Sequence, residues 1–287
     1  MLPEHRAHSE VMAQNANAMV DGIVWQTIAL SLGCAAIIVG TLTAGALNAI
    51  PLWAVSLIIY LSVYLSYTAL HEAVHQNITG MRKDLAWINL GVGTLSSFFL
   101  VHSYEMHKTI HLTHHRNTND PEHDPDHWVN GSNFLMTCLR SGTLFNGYFF
   151  YCYRHWDEPQ MRRAYWIGLR DTFLSLGAIV LIAVFVDWKL AVFGFLVPAT
   201  FAMMTLGILF DYLVHVPYKA RARFENTRVI VFPRWLDTIV TWAYVQQNYH
   251  GVHHAFPRIP FTKYRHFFRM TEDDVVEAGM PVARPLG

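Results

Sequence analysis

The sequence predicts an all-α integral membrane protein, four transmembrane helices carrying a cytoplasmic helical cap. Three observations predict it. Of the 287 residues, 53% are hydrophobic and only 15% charged, far fewer charges than the roughly one quarter of a water-soluble domain. From Gly22 to His71 there is no Asp, Glu, Lys or Arg, a length that holds two crossings of about 20 residues each. A second apolar block runs from Thr172 to Phe210, broken only by Asp187 and Lys189.

Each element follows from these runs. Asn48 and Pro51 interrupt the first block, so the first span covers about 23–47 and the second about 52–71. The second block divides at its two charges into spans of about 172–186 and 190–210. Between the pairs lies Leu85 to Val101, seventeen residues without a charge, borderline for a crossing and read here as interfacial or re-entrant. The four-span arrangement puts 20 of the 21 Lys and Arg residues on one side and only Lys189 on the other. Basic residues concentrate in cytoplasmic loops, so both termini are expected in the cytoplasm, with a bacterial inner membrane as the setting. The segment before Ile23 is mixed in charge and the apolar stretch after it is too long for a cleavable signal. With no internal repeat, low-complexity tract or linker, residues 1–287 read as one domain.

Composition also excludes. A net charge of zero argues against nucleic acid as a partner, which would demand a basic stripe. Cys34, Cys138 and Cys152 form neither a disulfide framework nor a CxxC or haem-attachment motif. The seventeen histidines are the excess that asks for chemistry.

They are clustered. His71 and His75 stand four apart at the cytoplasmic end of the second span; His111, His114 and His115 form HxxHH; His250, His253 and His254 form HxxHH again. Positions three and four apart share a helix face, so each cluster aims at least two imidazoles at one point. Neutral imidazole suits iron, zinc and copper. In the four-span arrangement all three clusters face the cytoplasm, whereas a crossing by Leu85 to Val101 would separate the first two. Asp211 and His215, four apart at the end of the fourth span, lie at the depth of the first cluster. His215 is read as a further ligand, with Asp211 orienting a ligand or a water. His107, four before His111, is a further imidazole near the second cluster. His123, His127, Asp120, Asp124 and Asp126 sit among Asp-Pro turns, where a rigid polar loop and a role behind the ligands are both open. Met203, Met204, Phe201 and Phe210 fit a lipid cavity, but a spanning helix carries such residues in any case.

With the boxes HEAVH, HLTHH and HGVHH in this order, and paired spans before the first and between the second and third, the chain resembles the membrane fatty-acid desaturase and hydroxylase superfamily. The resemblance covers about residues 21–269. It implies a non-haem centre of two iron ions that activates O2 against an unactivated C–H bond. Residue by residue, it makes His71, His75, His111, His114, His115, His250, His253 and His254 iron ligands and matches His215 to the family's extra histidine before the third box. Glu72 is expected beside the ligands rather than among them. The family often has Asn where this chain has Asp211, which leaves a water-holding role there less direct.

The stretches NTNDPEHDPDHW, FDYLVHVPY and QQNYHGVHHAFPRIPFTKY resemble most the carotenoid β-ring hydroxylases of the cyanobacterial type. The HHxFPxIPxxxY ending is shared with acyl-lipid desaturases. A carotenoid or an acyl chain is therefore the expected lipid substrate. The sequence carries no GxGxxG motif, iron–sulfur cysteine set or appended cytochrome b5 domain, so electrons are expected from an external donor such as a ferredoxin. HEAVH also satisfies the HExxH pattern of zinc peptidases, with Glu72 as base. That alternative leaves both HxxHH clusters unexplained, as does a catalytically silent membrane adaptor.

Overall fold

The computed structural model describes residues 3–20 and 22–285. The expected termini, Met1 and Gly287, lie outside the described residues. Helix α1 (Pro3–Ala18) precedes α2 (Trp25–Ala46) and α3 (Leu52–Val74), the first two spans. Their connection turns at Asn48, with φ of 54°, a left-handed conformation that Asn tolerates. Pro51 then stands as the N-cap of α3, where its missing N–H costs nothing.

The remaining spans are α8 (Pro159–Asp187) and α9 (Leu190–His215). Both are longer than the charge pattern indicates. The expected third span opens at Thr172, but the helix starts thirteen residues earlier at Pro159, because Pro suits a first helical turn and the stretch from Met161 to Arg170 is amphipathic rather than broken. Likewise α9 continues past Phe210, carrying Asp211 and His215 on the span itself.

Within the bundle α3 and α9 are central: 50% and 44% of their most apolar windows are buried, against 22% for α2 and 11% for α8. Lipid supplies no hydrophobic drive between helices, so close packing and polar contacts join them. Gly45 of α2 lets Leu190 and Val55 approach; a Cβ there would lie 2.9 Å from Leu190 Cδ1. The Ser56 hydroxyl donates to the Phe193 carbonyl at 2.8 Å. Ser31 and Ser96 pair at 2.9 Å, fastening α2 to the short helix that follows α3.

That helix, α4 (Ala86–Phe99), meets α5 (Tyr104–Asn117) at a 99° bend. Its 14 residues rise only ~21 Å, short of the ~30 Å hydrocarbon layer. His75 at the end of α3 and His111 on α5 touch, with Nε2 atoms 3.0 Å apart. The chain therefore returns to the side it left, as the re-entrant reading requires.

The cap is built from amphipathic pieces. Helix α6 (Phe134–Gly142) exposes Phe134, Leu135 and Leu139, and α10 (Arg234–Ala243) exposes Trp235, Ile239 and Trp242. Such faces suit a helix lying in the membrane interface. Helix α7 (Leu144–Arg154) buries Tyr148 and Cys152 with Met106, Ile110 and Met161 between α5 and α8. The short α11 (His250–Ala255) and α12 (Tyr264–Glu277) complete the cap. Strands Val229–Ile230 (β1) and Val282–Ala283 (β2) pair in parallel, and Gly251 N–H donates to the Arg228 carbonyl next to β1 at 3.1 Å. Asp237 on the inner face of α10 accepts from Arg265 and Arg269.

Candidate metal centre

Three helix ends and one helix interior supply the histidines. His71 lies in the last turn of α3 and His75 caps it; His111, His114 and His115 come from α5; His215 ends α9; His250, His253 and His254 line α11. Eight of the nine are buried and His115 is nearly so. All nine expected ligands come together, and they divide into two groups.

The first group is His71, His75, His111, His115 and His253; the second is His114, His215, His250 and His254. In each group one nitrogen per ring lies within 4.8 Å of the others. The division runs through the boxes. His111 and His115, four apart, stay together while His114 joins the other group; His250 and His254 stay together while His253 leaves them.

In the five-histidine group Nε2 atoms stand 3.0 Å apart between His75 and His111, 3.1 Å between His115 and His111, and 2.9 Å between His253 and His115. The His71 ring lies 4.4 Å from that of His253 by centroids, and neither of its nitrogens has a hydrogen-bond partner among the described residues. Burial drives the imidazoles of His75, His111, His115 and His253 well below the usual histidine pKa, leaving them neutral and able to ligate. Tyr264 OH meets His253 Nδ1 at 3.0 Å.

The four-histidine group has different surroundings. His114 and His254 face each other through Nε2 at 3.3 Å. Behind His114, Nδ1 donates to Asp124 Oδ1 at 2.7 Å, and Asp126 Oδ2 lies at 3.5 Å. Burial alone would lower the His114 pKa, but the Asp124 and Asp126 carboxylates outweigh it and push it up to about 9. His215 Nδ1 donates to Asn119 Oδ1 at 3.2 Å and His250 Nδ1 to Gln247 Oε1 at 3.0 Å, while Thr118 Oγ1 meets His254 Nδ1 at 3.4 Å. Every ring of this group thus has an outer partner on Nδ1, which fixes its orientation and leaves Nε2 turned inward.

The supporting residues separate into those foreseen and those not. Asp124 and Asp126 belong to the site, whereas Asp120 and His123 pair with each other at the exposed loop surface, where Asp120 also meets Arg221. His127 is half-buried against Tyr218 and joins neither group. His107 is buried with its ring stacked on His111 at 5.5 Å, yet it too stands outside both groups. Asp211 is buried within electrostatic reach of Asp126, Asp124 and His114. Asn119, Gln247, Thr118 and Tyr264 are additions. Asn119 had a signal, since NTND is a turn sequence and its φ is 65°.

Glu72 is fully buried and committed to structure. It accepts from Phe261 N–H at 3.1 Å, Asn77 Nδ2 at 3.4 Å and Tyr264 OH at 3.5 Å. A peptidase base must face a metal-bound water; this carboxylate instead ties the end of α3 to the loop after α11. The geometry removes the support that HExxH lent to a zinc peptidase.

Residues 47–285 match the family model described as fatty acid desaturase. No curated protein matches the chain. The matched region holds three of the four spans entire, both histidine groups and the cap, and on that ground the chain belongs to the fatty acid desaturase family of membrane oxidoreductases.

Proposed function

We propose that the nine histidines hold two iron ions, five around one and four around the other, and that the chain is an O2-dependent hydroxylase of a lipid C–H bond. The partition of the imidazoles carries this reading. Adjacent nitrogens about 2.1 Å from one ion at right angles stand ~3 Å apart, and the Nε2 separations of 2.9–3.1 Å in the first group have that value. The unpartnered nitrogens of His71 and His215 Nε2 are buried orphans that a metal would satisfy. An all-nitrogen set suits iron, copper or zinc, and the family makes iron the choice. When bound and reduced, the iron pair would supply the activation of O2 needed to attack an unactivated C–H bond.

The protein's own part is orientation and exclusion of water. Asn119, Asp124, Gln247, Thr118 and Tyr264 fix the rings from behind, and the buried cap keeps competing water from the reacting centre. Electrons come from an external carrier such as a ferredoxin. The protein sits in a bacterial inner membrane with both termini cytoplasmic. Reporters inserted at Asn48 or Asp187 are then external, while residues 77 and 119 are both cytoplasmic; finding those two on opposite faces would overturn the arrangement.

For the substrate we favour the β-ring of a carotenoid, on the likeness of NDPEHDPDHW and FDYLVHVPY to the ring hydroxylases. In the fold these stretches meet, His215 of one bonding to Asn119, the first residue of the other. The family match favours a second reading, acyl desaturation, in which the same stretches serve the metal scaffold alone. Expression in a β-carotene-producing host decides between them. Ring hydroxylation gives more polar pigments carrying oxygen from labelled O2, absent in the His253→Ala variant; unchanged pigments with new unsaturated acyl chains select the second reading. Metal analysis should find about two irons per chain, and one zinc instead would reject the oxygenase.

A further inference from the structure

Two buried histidines are left over by the metal groups. His102, in the bend between α4 and α5, and His107, one turn into α5, are both fully buried. None of their four ring nitrogens has a hydrogen-bond partner among the described residues. A neutral imidazole carries one donor and one acceptor, and burying both unpaired is costly. Native structures keep such groups mainly where a ligand or function uses them.

Their placement says what kind of ligand. On one side the His107 ring stacks on His111 of the five-histidine group, centroids 5.5 Å apart. The His102 and His107 rings meet edge to face at 5.4 Å. On the other side His102 stacks on Phe145 at 3.7 Å. Phe145 and Val101 in turn line an apolar cavity of about 220 Å³, whose other walls include Phe149, Leu176, Ala199 and Met203. The Phe145 ring alone thus stands between this cavity and His102, and beyond the two unpaired imidazoles lies the candidate metal centre.

We infer that this cavity takes the apolar body of the substrate and that His102 and His107 bind an oxygen atom, a ketone or hydroxyl, carried on the lipid a few bonds from the reacting carbon. This deepens the lipid-oxygenase reading and rests on it. A headgroup carboxyl or ester would not serve, since it lies at the end of its chain, whereas these imidazoles lie beside the reacting centre. An oxygen on a ring or in mid-chain reaches them. Phe145 sets the boundary between the apolar and polar parts. Tyr67, packed edge to face against His107 at 5.6 Å, and Tyr148, 5.8 Å from His102, surround the two imidazoles with aromatic rings.

The test uses the iron-loaded full-length chain in lipid nanodiscs and two probe pairs. One pair is β-carotene and its ring ketone; the other is an acyl lipid and its mid-chain ketone. A buried imidazole N–H to a carbonyl should favour the ketone by about tenfold in Kd. His102→Phe and His107→Phe should erase that preference with iron content unchanged, and His107→Gln, which keeps a donor, should restore part of it. Absence of a ketone preference in both pairs, or a preference that survives both Phe variants, overturns the oxygen site even where the parent lipids bind. A preference confined to the acyl pair upholds the oxygen site and overturns the carotenoid reading. Binding of none of the four lipids overturns both.

Discussion

The five-histidine and four-histidine groups share the second and third boxes, the first box going wholly to the larger group, yet their surroundings differ in charge. Around His114 two buried carboxylates stand within 3.5 Å of Nδ1, and each ring of its group has a polar atom at its back. Around His253 the outer partner is a neutral phenol, Tyr264, and the nearest carboxylate, Glu72, lies 4.0 Å from His71 Nδ1 and is spent on the loop after α11. One group has more nitrogens and few supports; the other has fewer nitrogens, each supported. An imidazole backed by a carboxylate is the more basic ligand, so charge compensates for the missing fifth ring. The two iron sites we propose should then differ in how they fail.

Removing a ligand should show the largest difference. His254→Ala leaves three nitrogens in its group and should reduce iron to about one per chain, with turnover falling by more than the ~100-fold that loss of an outer partner costs at most. His75→Ala leaves four nitrogens and should keep more of its iron. Equal iron loss in the two variants, measured by elemental analysis, would break the comparison; full activity in either would remove the two-iron assignment.

A smaller effect is expected from Asp124→Asn. It keeps the shape but removes the charge behind His114, and should weaken iron at the four-histidine site by ~10–100-fold while leaving the other site loaded. Titration with a chelator, followed by iron content per chain, reads this as one early and one late step. Smallest is Tyr264→Phe, which takes one neutral hydrogen bond from His253. At ~1 kcal/mol this is about fivefold in the affinity of the five-histidine site. Should Tyr264→Phe exceed Asp124→Asn in the same titration, charge would not be what distinguishes the sites.

The sequence carried the membership of these groups but not their division. Spacing places His111, His114 and His115 on one helix face, because residues three and four apart lie within about 60° of each other around the axis. His114 and His115, however, diverge by about 100°, and only the positions of α3, α9 and α11 decide which ring looks toward which neighbour. Asp124 and Asp126 were visible as polar residues in a turn-rich loop, but so were Asp120 and His123, and nothing local separates the buried pair from the exposed one. The first two spans were legible because uncharged runs leave little freedom for their ends. The start of α8 was not, since Arg162, Arg163 and Arg170 hide a helix whose charged face leaves the apolar layer before the helix ends.

Helix α9 widens to π-type turns at Leu190–Leu196 and again at Gly207–Tyr212. The second lies just before His215 and against Ser141 of α6, where a Cβ on Gly207 would come within 2.7 Å of the serine Cβ. Each helical residue advances the following side chains by about 100°. The wide turn therefore sets the angular phase of the last span independently of its depth in the bilayer. Losing one residue between Gly207 and Tyr212 would keep the helix long enough to cross while swinging His215 away from His114 and His254, so the tolerance of this span to insertion and deletion should be governed by rotation rather than by length.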